Sequence, residues 1–180
     1  MKLIVLAVQL AVLCAFSTTT LLAADSISIG AQIPLSYSFD SATDGGALQS
    51  SGASGLLVNM TLPAIGTLGF ESYDVALANN GDAKLSLLII DYIYIFPLPF
   101  IDLGVGVGAG TANIKGGTYA TEYQGATAAQ WLLQLGVPLL PGVSLDYSYH
   151  SVTARPKYTG KDVYLEGSGT MSSLGISFGF

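Results

Sequence analysis

One segment of the chain combines the residue types of a serine hydrolase. His150 is the only histidine, and Asp146, Ser148 and Ser151 lie close to it in sequence. A serine becomes a nucleophile when a histidine within hydrogen-bonding reach accepts its proton and an acid orients the imidazole. Ser151 would point to the opposite side of a strand, and Ser148 would share the face about 7 Å away. The spacing favours a histidine that only hydrogen-bonds, with catalysis as an alternative.

Acidic residues form the second candidate site, because the alternation of the predicted strands turns several of them towards the interior. Few basic residues are available there, since Lys84 and Arg155 lie near the rim. Buried carboxylates without partners must stay hydrated, find hydrogen bonds or bind a proton. A hydrated interior is the simpler interpretation, and a cation pathway is the alternative. The candidate polar residues of the interior are Asp74, Asp91, Asp102, Asp146 and His150.

Other kinds of site have no support in the sequence. Glycine recurs at every second residue from Gly104 to Gly110, which is the spacing of one strand face and not of a phosphate-binding turn. A single histidine and the lone Cys14 predict no zinc site, and no cofactor is expected. Without Lys2, five basic residues face 12 acidic ones, a net charge of −7 that argues against nucleic acid as a partner.

The residues that could do this chemistry lie on short segments that alternate apolar with small or polar residues. A period of two indicates strands with one apolar face. The chain is 51% hydrophobic, yet its nearest candidate for a spanning helix contains Pro97 and Pro99. In lipid, only helices and closed barrels satisfy every backbone group. Eight strands are predicted, at 27–39, 56–62, 67–77, 85–96, 101–110, 129–137, 143–150 and 174–180.

The faces of three strands need interpretation. In the first, Tyr37 and Phe39 continue the apolar face and are expected to point outward. In the third, the apolar positions change parity, so a bulge near residues 71 and 72 would keep the later ones outward. Those later residues are Tyr73, Val75 and Leu77. The fourth strand is apolar on both faces, and the choice that turns Asp91 inward is preferred.

The two ends of the chain suggest export. Lys2 precedes an apolar run from Leu3 to Phe16, and small residues near Ala24 suit cleavage, so 1–24 is predicted to be a signal peptide and 25–180 one barrel domain. The last strand places four apolar residues on one face up to a terminal aromatic residue. These are Leu174, Ile176, Phe178 and Phe180.

This ending resembles that of bacterial outer-membrane barrels, and the whole pattern resembles the small eight-stranded proteins of the OmpA-domain, OmpX and OmpW type. Three short Pro/Gly-marked connections alternate with four longer polar ones, the first of them 40–55. The resemblance implies an all-β, antiparallel up-and-down transmembrane barrel that is a monomer, with both termini periplasmic. It also implies lipid and lipopolysaccharide as surroundings, and recognition of the last strand by the barrel assembly machinery.

Three functions remain possible at this point. The leading hypothesis is a non-enzymatic outer-membrane protein with a structural or surface-contact role. The second is a narrow channel or a conduit for small hydrophobic ligands, and the third is an enzyme that modifies lipid A. Eight strands leave an interior that side chains nearly fill, which favours the first hypothesis over the second.

Overall fold

A computed structural model describes residues 27–40, 48–63, 65–78, 82–117 and 119–180; the predicted signal peptide lies outside these residues. Eight antiparallel strands of 11–15 residues close into a barrel. Each is long enough for the ~9–11 residues that a tilted strand needs to cross a bilayer. The barrel strands are β1 (Ser28–Phe39), β2 (Ser50–Leu62), β3 (Gly66–Leu77), β4 (Lys84–Pro97), β5 (Asp102–Lys115), β7 (Ala126–Leu140), β8 (Val143–Ala154) and β10 (Gly169–Gly179).

The barrel has two different ends. Barrel strands adjacent in sequence pair with each other, and β1 closes the ring on β10 between the Ser28–Gly179 and Phe39–Gly169 pairs. We call the end with the short connections 63–65, 98–101 and 141–142 the turn end. The opposite end, with 40–49, 78–83, 116–125 and 155–168, is the loop end. The predicted alternation of short and long connections is therefore confirmed, although β2 begins earlier than expected.

Large apolar side chains cover the outside of the barrel. Ile90 and Val107, on neighbouring strands, are 64% and 63% exposed. A continuous apolar band of this kind suits contact with lipid tails rather than with water. Within the part of the chain described, no helix is long and apolar enough to cross a membrane.

A proline changes the facing of β1. Against β10, the register shifts between Pro34 and Ser36, so Leu35 is an extra residue. Proline cannot donate to the ladder, which makes this a natural place for a bulge. The bulge reverses the parity of the rest of the strand, and Tyr37 turns into the barrel with 5% of its surface exposed. The expectation that Tyr37 points outward is wrong, and Phe39 packs partly against the core.

β3 has no bulge where one was expected. Its pairing with β4 runs without a shift from Thr67 to Ala76. Tyr73, Val75 and Leu77 are therefore buried inside the barrel, and the prediction of an outward face for them is wrong. The reason is that the interior at the loop end is itself apolar, so hydrophobicity does not distinguish the two faces there. In β4 the inward choice for Asp91 is confirmed.

Two of the loops are joined to each other. After β5, a short helix α1 (Tyr119–Glu122) leads into β6 (Tyr123–Gln124), which pairs with β9 (Lys157–Tyr158) of the last loop. The rings of Tyr123 and Tyr158 meet edge to face at 5.3 Å. The Thr159 amide also donates to the Glu122 carbonyl. These contacts hold the two loops together above the barrel.

Candidate functional site

The interior of the barrel is the candidate site, and it changes character along the axis. At the loop end it is filled by an apolar cluster, which we call the plug. The plug consists of Tyr37, Leu57, Tyr73, Val75, Leu85, Leu87, Ile89, Ala112, Ile114, Ala128, Val152, Ala154 and Met171. Several members, such as Leu85 and Ile89, have no exposed surface at all. A region packed in this way leaves no path for water along the barrel axis.

Below the plug lies a group of hydrogen-bonded side chains that we call the polar belt: Gln32, Glu71, Asp91, Gln130, Ser148, His150 and Ser173. On one side of the belt, the hydroxyls of Ser148 and Ser173 donate to Gln32 Oε1 at 2.8 and 2.6 Å. Ser148 Oγ also lies 2.8 Å from His150 Nε2. These links join β1, β8 and β10 across the closing seam of the barrel.

The other side of the belt is acidic. His150 Nδ1 lies 3.3 Å from Glu71 Oε1, an ion-pair distance without hydrogen-bond geometry. Asp91 accepts a hydrogen bond of 2.6 Å from Gln130 Nε2. The two side chains can meet because Gly108 lies between their strands, and a Cβ there would collide with Asp91. Glycine is thus required for this close approach.

The turn end of the interior is an open chamber of about 500 Å³. Its wall is mixed: Asn59, Thr61 and Ser144 are polar, and Ile65 and Ile95 are apolar. Two acidic residues, Asp102 and Asp146, also line it. The residues of the belt that surround His150 are not part of this wall. The chamber therefore opens to the turn end and stops below the belt.

The glycines of β5 make room for side chains from both neighbouring strands. A Cβ at Gly106 would lie 2.9 Å from Ile93 and 3.0 Å from Leu132. One at Gly104 would lie 3.0 Å from Gln134. The small inward residues therefore face bulky ones and form complementary packing, not a water-filled path.

The structure brings most of the predicted interior residues inside, but not together. His150 and Asp91 lie in the belt, whereas Asp102 and Asp146 lie in the chamber. Asp74 does not face the interior: it pairs beside Ser54 and Ser86 on the outer side, because β3 keeps its parity. The predicted inward position of Asp74 depended on a face assignment that the regular register of β3 contradicts.

The arrangement around His150 differs from the one the sequence predicts. Ser148 was expected to be too far along the strand, yet its hydroxyl reaches the imidazole, and Glu71 supplies the acid in place of Asp146. Gln32 Oε1, which can only accept, lies 2.8 Å from Ser148 Oγ, the same distance as His150 Nε2, and so competes with the imidazole for the single hydroxyl hydrogen. A general base would need that hydrogen directed at the imidazole. Ser148 is also only 1% exposed, so a substrate has no access to it.

Sequence reasoning missed Glu71 as the acidic neighbour of His150, and Gln32 and Ser173 as hydrogen-bond partners of Ser148. Glu71 was assigned to a bulge, although strict alternation along β3 would have turned it inward with Tyr73. Gln32 and Ser173 lie on β1 and β10, far apart in sequence, and only the closure of the barrel brings them together. The four apolar residues of the last strand, Leu174, Ile176, Phe178 and Phe180, all point outward as predicted.

Comparison with solved structures supports the fold. Neisserial surface protein A superposes with a TM-score of 0.59 at 14% identity, over 86% of this chain and 96% of that one. The N-terminal β-barrel domain of Pseudomonas aeruginosa OprF gives 0.53 at 19% identity, over 87% and 98%. This chain has the fold of the small eight-stranded outer-membrane barrels.

The outer-membrane protein OprG from Pseudomonas aeruginosa also superposes on this chain, with a TM-score of 0.53 at 11% identity over 86% of this chain and 95% of that one. The resemblance seen in the sequence is thus confirmed for the fold. No protein-family model and no curated protein matches the sequence. Function must therefore be argued from the barrel itself.

Proposed function

We propose that this chain is an integral outer-membrane protein whose barrel is a closed scaffold for its loops, and that it is not an enzyme. The apolar outer band supports insertion in a bilayer. We place the turn end and both termini on the periplasmic side and the loop end outside, since outer-membrane barrels have short periplasmic turns and longer external loops.

The observation that carries this proposal is the plug. Leu85, Leu87 and Ile89 of β4 fill the loop half of the interior together with Val152 and Met171 from the opposite wall. The polar belt lies beneath them, so the chamber has no continuation towards the loop end. A solute entering from the turn end would have to displace a packed apolar cluster, which is a large cost in a close-packed interior.

The loops supply the proposed contact surface. All five basic residues of the described chain lie at the loop end or beyond it: Lys84, Lys115, Arg155, Lys157 and Lys161. Lys84 and Lys115 are direct neighbours across β4 and β5. Positive groups at this level would meet the anionic headgroups of lipopolysaccharide. The joined loops above them form an ordered surface for contact with other molecules.

Conductance in planar bilayers tests the closed scaffold. We expect the purified, folded protein to give no steady unit conductance in salt solution. An open porin in the same lipid provides the positive control. A reproducible unit conductance from this protein would instead support the narrow-channel hypothesis.

The Ser148–His150–Glu71 arrangement is the one observation that favours an enzyme. Mass spectra of lipid A from cells with and without the protein test it. We expect identical spectra, because the serine is buried and Gln32 competes with His150 for its hydroxyl hydrogen. A lipid A change that is lost in Ser148→Ala would contradict the proposal.

We further propose that the last strand carries the signal for the barrel assembly machinery, with Phe180 as its aromatic residue. Phe180 is 80% exposed, so Phe180→Ala removes little packing. We expect less folded barrel in outer-membrane fractions and more degradation. Phe100→Ala is the matched control, since Phe100 is an exposed aromatic residue of a turn. Equal losses in the two variants, or none, would contradict a role as signal.

A further inference from the structure

Two buried carboxyl groups of the polar belt lie against each other. Glu71 of β3 pairs with Ile89 of β4, and Asp91 of β4 pairs with Gly69, two residues away along β3. Diagonal neighbours on one face of an antiparallel pair are within reach of each other when a side chain is long. Both acids point inward and are almost completely buried, and their side chains are in hydrogen-bond contact.

The geometry identifies the two oxygens that make this contact. Asp91 Oδ1 accepts the hydrogen bond from Gln130 Nε2, on the side of β7. Asp91 Oδ2 lies on the side of β3, 3.3 Å from the point where a Cβ of Gly69 would be. Glu71 Oε1 is the oxygen near His150. Glu71 Oε2 and Asp91 Oδ2 are left, and neither has a donor from any other group.

A hydrogen bond between two carboxyl groups requires a proton on one of them. An ionised carboxylate only accepts hydrogen bonds, whereas a protonated carboxyl group has one O–H to donate. Asp91 already accepts from Gln130, so it is the group suited to keep the negative charge. A proton on Glu71 Oε2 that is donated to Asp91 Oδ2 satisfies both of the oxygens that otherwise lack a partner.

No positive charge is placed to hold the two acids together in the ionised form. His150 Nδ1 lies 3.3 Å from Glu71 Oε1 but makes no hydrogen bond, and the Tyr73 hydroxyl makes none either. Asp102 and Asp146 of the chamber could add only negative charge, and no lysine or arginine of the described chain lies within the barrel. The other polar side chains of the belt are neutral: Gln32, Gln130, Ser148 and Ser173.

We propose that Glu71 and Asp91 share one proton in the folded barrel, and that this proton makes the belt a pH-sensitive element. Hydroxide removes the proton from the Glu71 O–H as water and leaves two adjacent carboxylates. These repel each other strongly where water is excluded, so they must separate and become hydrated from the chamber below. The stabilisation is present while the proton is bound and is lost as the pH rises. This inference goes beyond the proposed scaffold role and does not depend on it.

Infrared difference spectra of the folded protein in lipid vesicles test for the proton. At neutral pH, where a carboxyl group in water is ionised, we expect the wild type to show the carbonyl stretch of a protonated carboxyl group that Glu71→Gln lacks. Asp74→Asn is the matched control, since it removes an acid from the outer side of the same strand and should leave this band unchanged. A band that persists in Glu71→Gln, or no such band in the wild type, would overturn the proposal.

Urea unfolding in vesicles at neutral and alkaline pH tests the consequence. The amide of Glu71→Gln can donate to Asp91 Oδ2 as the protonated acid does, but it has no proton to lose. We expect the urea midpoint of the wild type and of Asp74→Asn to fall as the pH rises, and that of Glu71→Gln to fall less. Equal pH profiles in the wild type and Glu71→Gln would contradict the proposal.

Asp91→Asn keeps the question open to test if Glu71→Gln does not fold. It leaves one carboxyl group where there were two, with an amide in place of the charged acceptor. We expect the carbonyl band of Glu71 to shift and the fall of the urea midpoint in alkali to become smaller. An unshifted band together with an unchanged pH profile would show that the two acids do not share a proton.

Discussion

At the scale of single residues, Ser148 is the most connected polar group of the interior. Its hydroxyl lies within 2.8 Å of Gln32, His150 and Ser173, which come from β1, β8 and β10. It therefore links the first and last strands of the barrel to each other through side chains as well as through the backbone. Removing it leaves buried polar groups without partners, which costs more than the lost bond itself.

Ser148→Ala should destabilise the folded barrel by about 1–3 kcal/mol for this reason. Urea unfolding in lipid vesicles, followed by tryptophan fluorescence of Trp131, measures the change. Ser151→Ala is the control, because Ser151 is next to His150 in sequence but on the outer face. The role of the belt would be refuted if both variants unfolded at the same urea concentration.

A second residue-scale prediction concerns the last loop. The Lys157 ammonium hydrogen-bonds to Asp162 at 2.9 Å and, with its charge, lowers the pKa of the Asp162 carboxyl. A carboxyl with a lowered pKa stabilises its contact fully when the pH is above the ordinary pKa of the group. That stabilisation is lost as the pH falls through the lowered pKa. The loop contact should thus be complete at neutral pH and break only in acid.

NMR titration of Asp162 should show this lowered pKa, and Lys157→Met should raise the pKa towards its ordinary value. Lys161→Met is the control, because Lys161 packs over the Tyr158 ring instead. A pKa of Asp162 that is the same in the wild type and in Lys157→Met would show that the ion pair does not form in solution.

At the scale of strands, the sequence predicts facing well only where the two faces differ in polarity. β5, β7 and β8 alternate apolar with small or polar residues, and their predicted faces are confirmed. The facing predicted for β3 is wrong because Tyr73 and Val75 belong to the apolar plug, which the local pattern does not indicate. The facing predicted for β1 is wrong after Pro34, where one extra residue reverses the alternation. Both errors follow from judging each strand alone.

The same reasoning explains why the candidate site was predicted in part. Asp102, Asp146 and His150 lie on strands with clear alternation, so their inward facing follows from period two. Asp91 lies on β4, which is apolar on both faces, so its inward facing was a choice between two patterns. Which of them meet depends on register across strands. The pairing of Gly108 between Asp91 and Gln130 is an example, since nothing within any one strand specifies it.

The glycine face of β5 gives an element-scale prediction. Gly106→Val would force a branched side chain against Ile93 and Leu132, which lie 2.9 and 3.0 Å from where its Cβ would be. Overpacking of this kind costs about 1–3 kcal/mol. Ala109→Val, on the lipid face of the same strand, should be nearly neutral. Urea unfolding in vesicles measures the free energy of unfolding of both variants. Equal stability of the two would show that the interior can accommodate the larger side chain.

At the scale of the whole molecule, the bilayer acts as the solvent for the outer face. Leu133, in the middle of β7, is 42% exposed on that face. Leu133→Arg should cost ~2–4 kcal/mol near the bilayer midplane. Thr159→Arg, in the last loop, is the control and should cost far less, because water already surrounds it. Similar unfolding free energies for the two variants in vesicles would contradict the proposed position of the membrane.

The contrast between plug and chamber also gives the barrel uneven mechanical properties. The loop half is filled with side chains, because Leu85, Leu87 and the other residues of the plug pack against one another from all eight barrel strands. The turn half surrounds the open chamber, so fewer side chains there resist a change in the cross-section of the barrel. Lateral pressure from the bilayer should therefore deform the turn half first, although both halves have the same backbone ladder. Amide hydrogen exchange should accordingly be faster at the turn ends of β4 and β7 than at their loop ends.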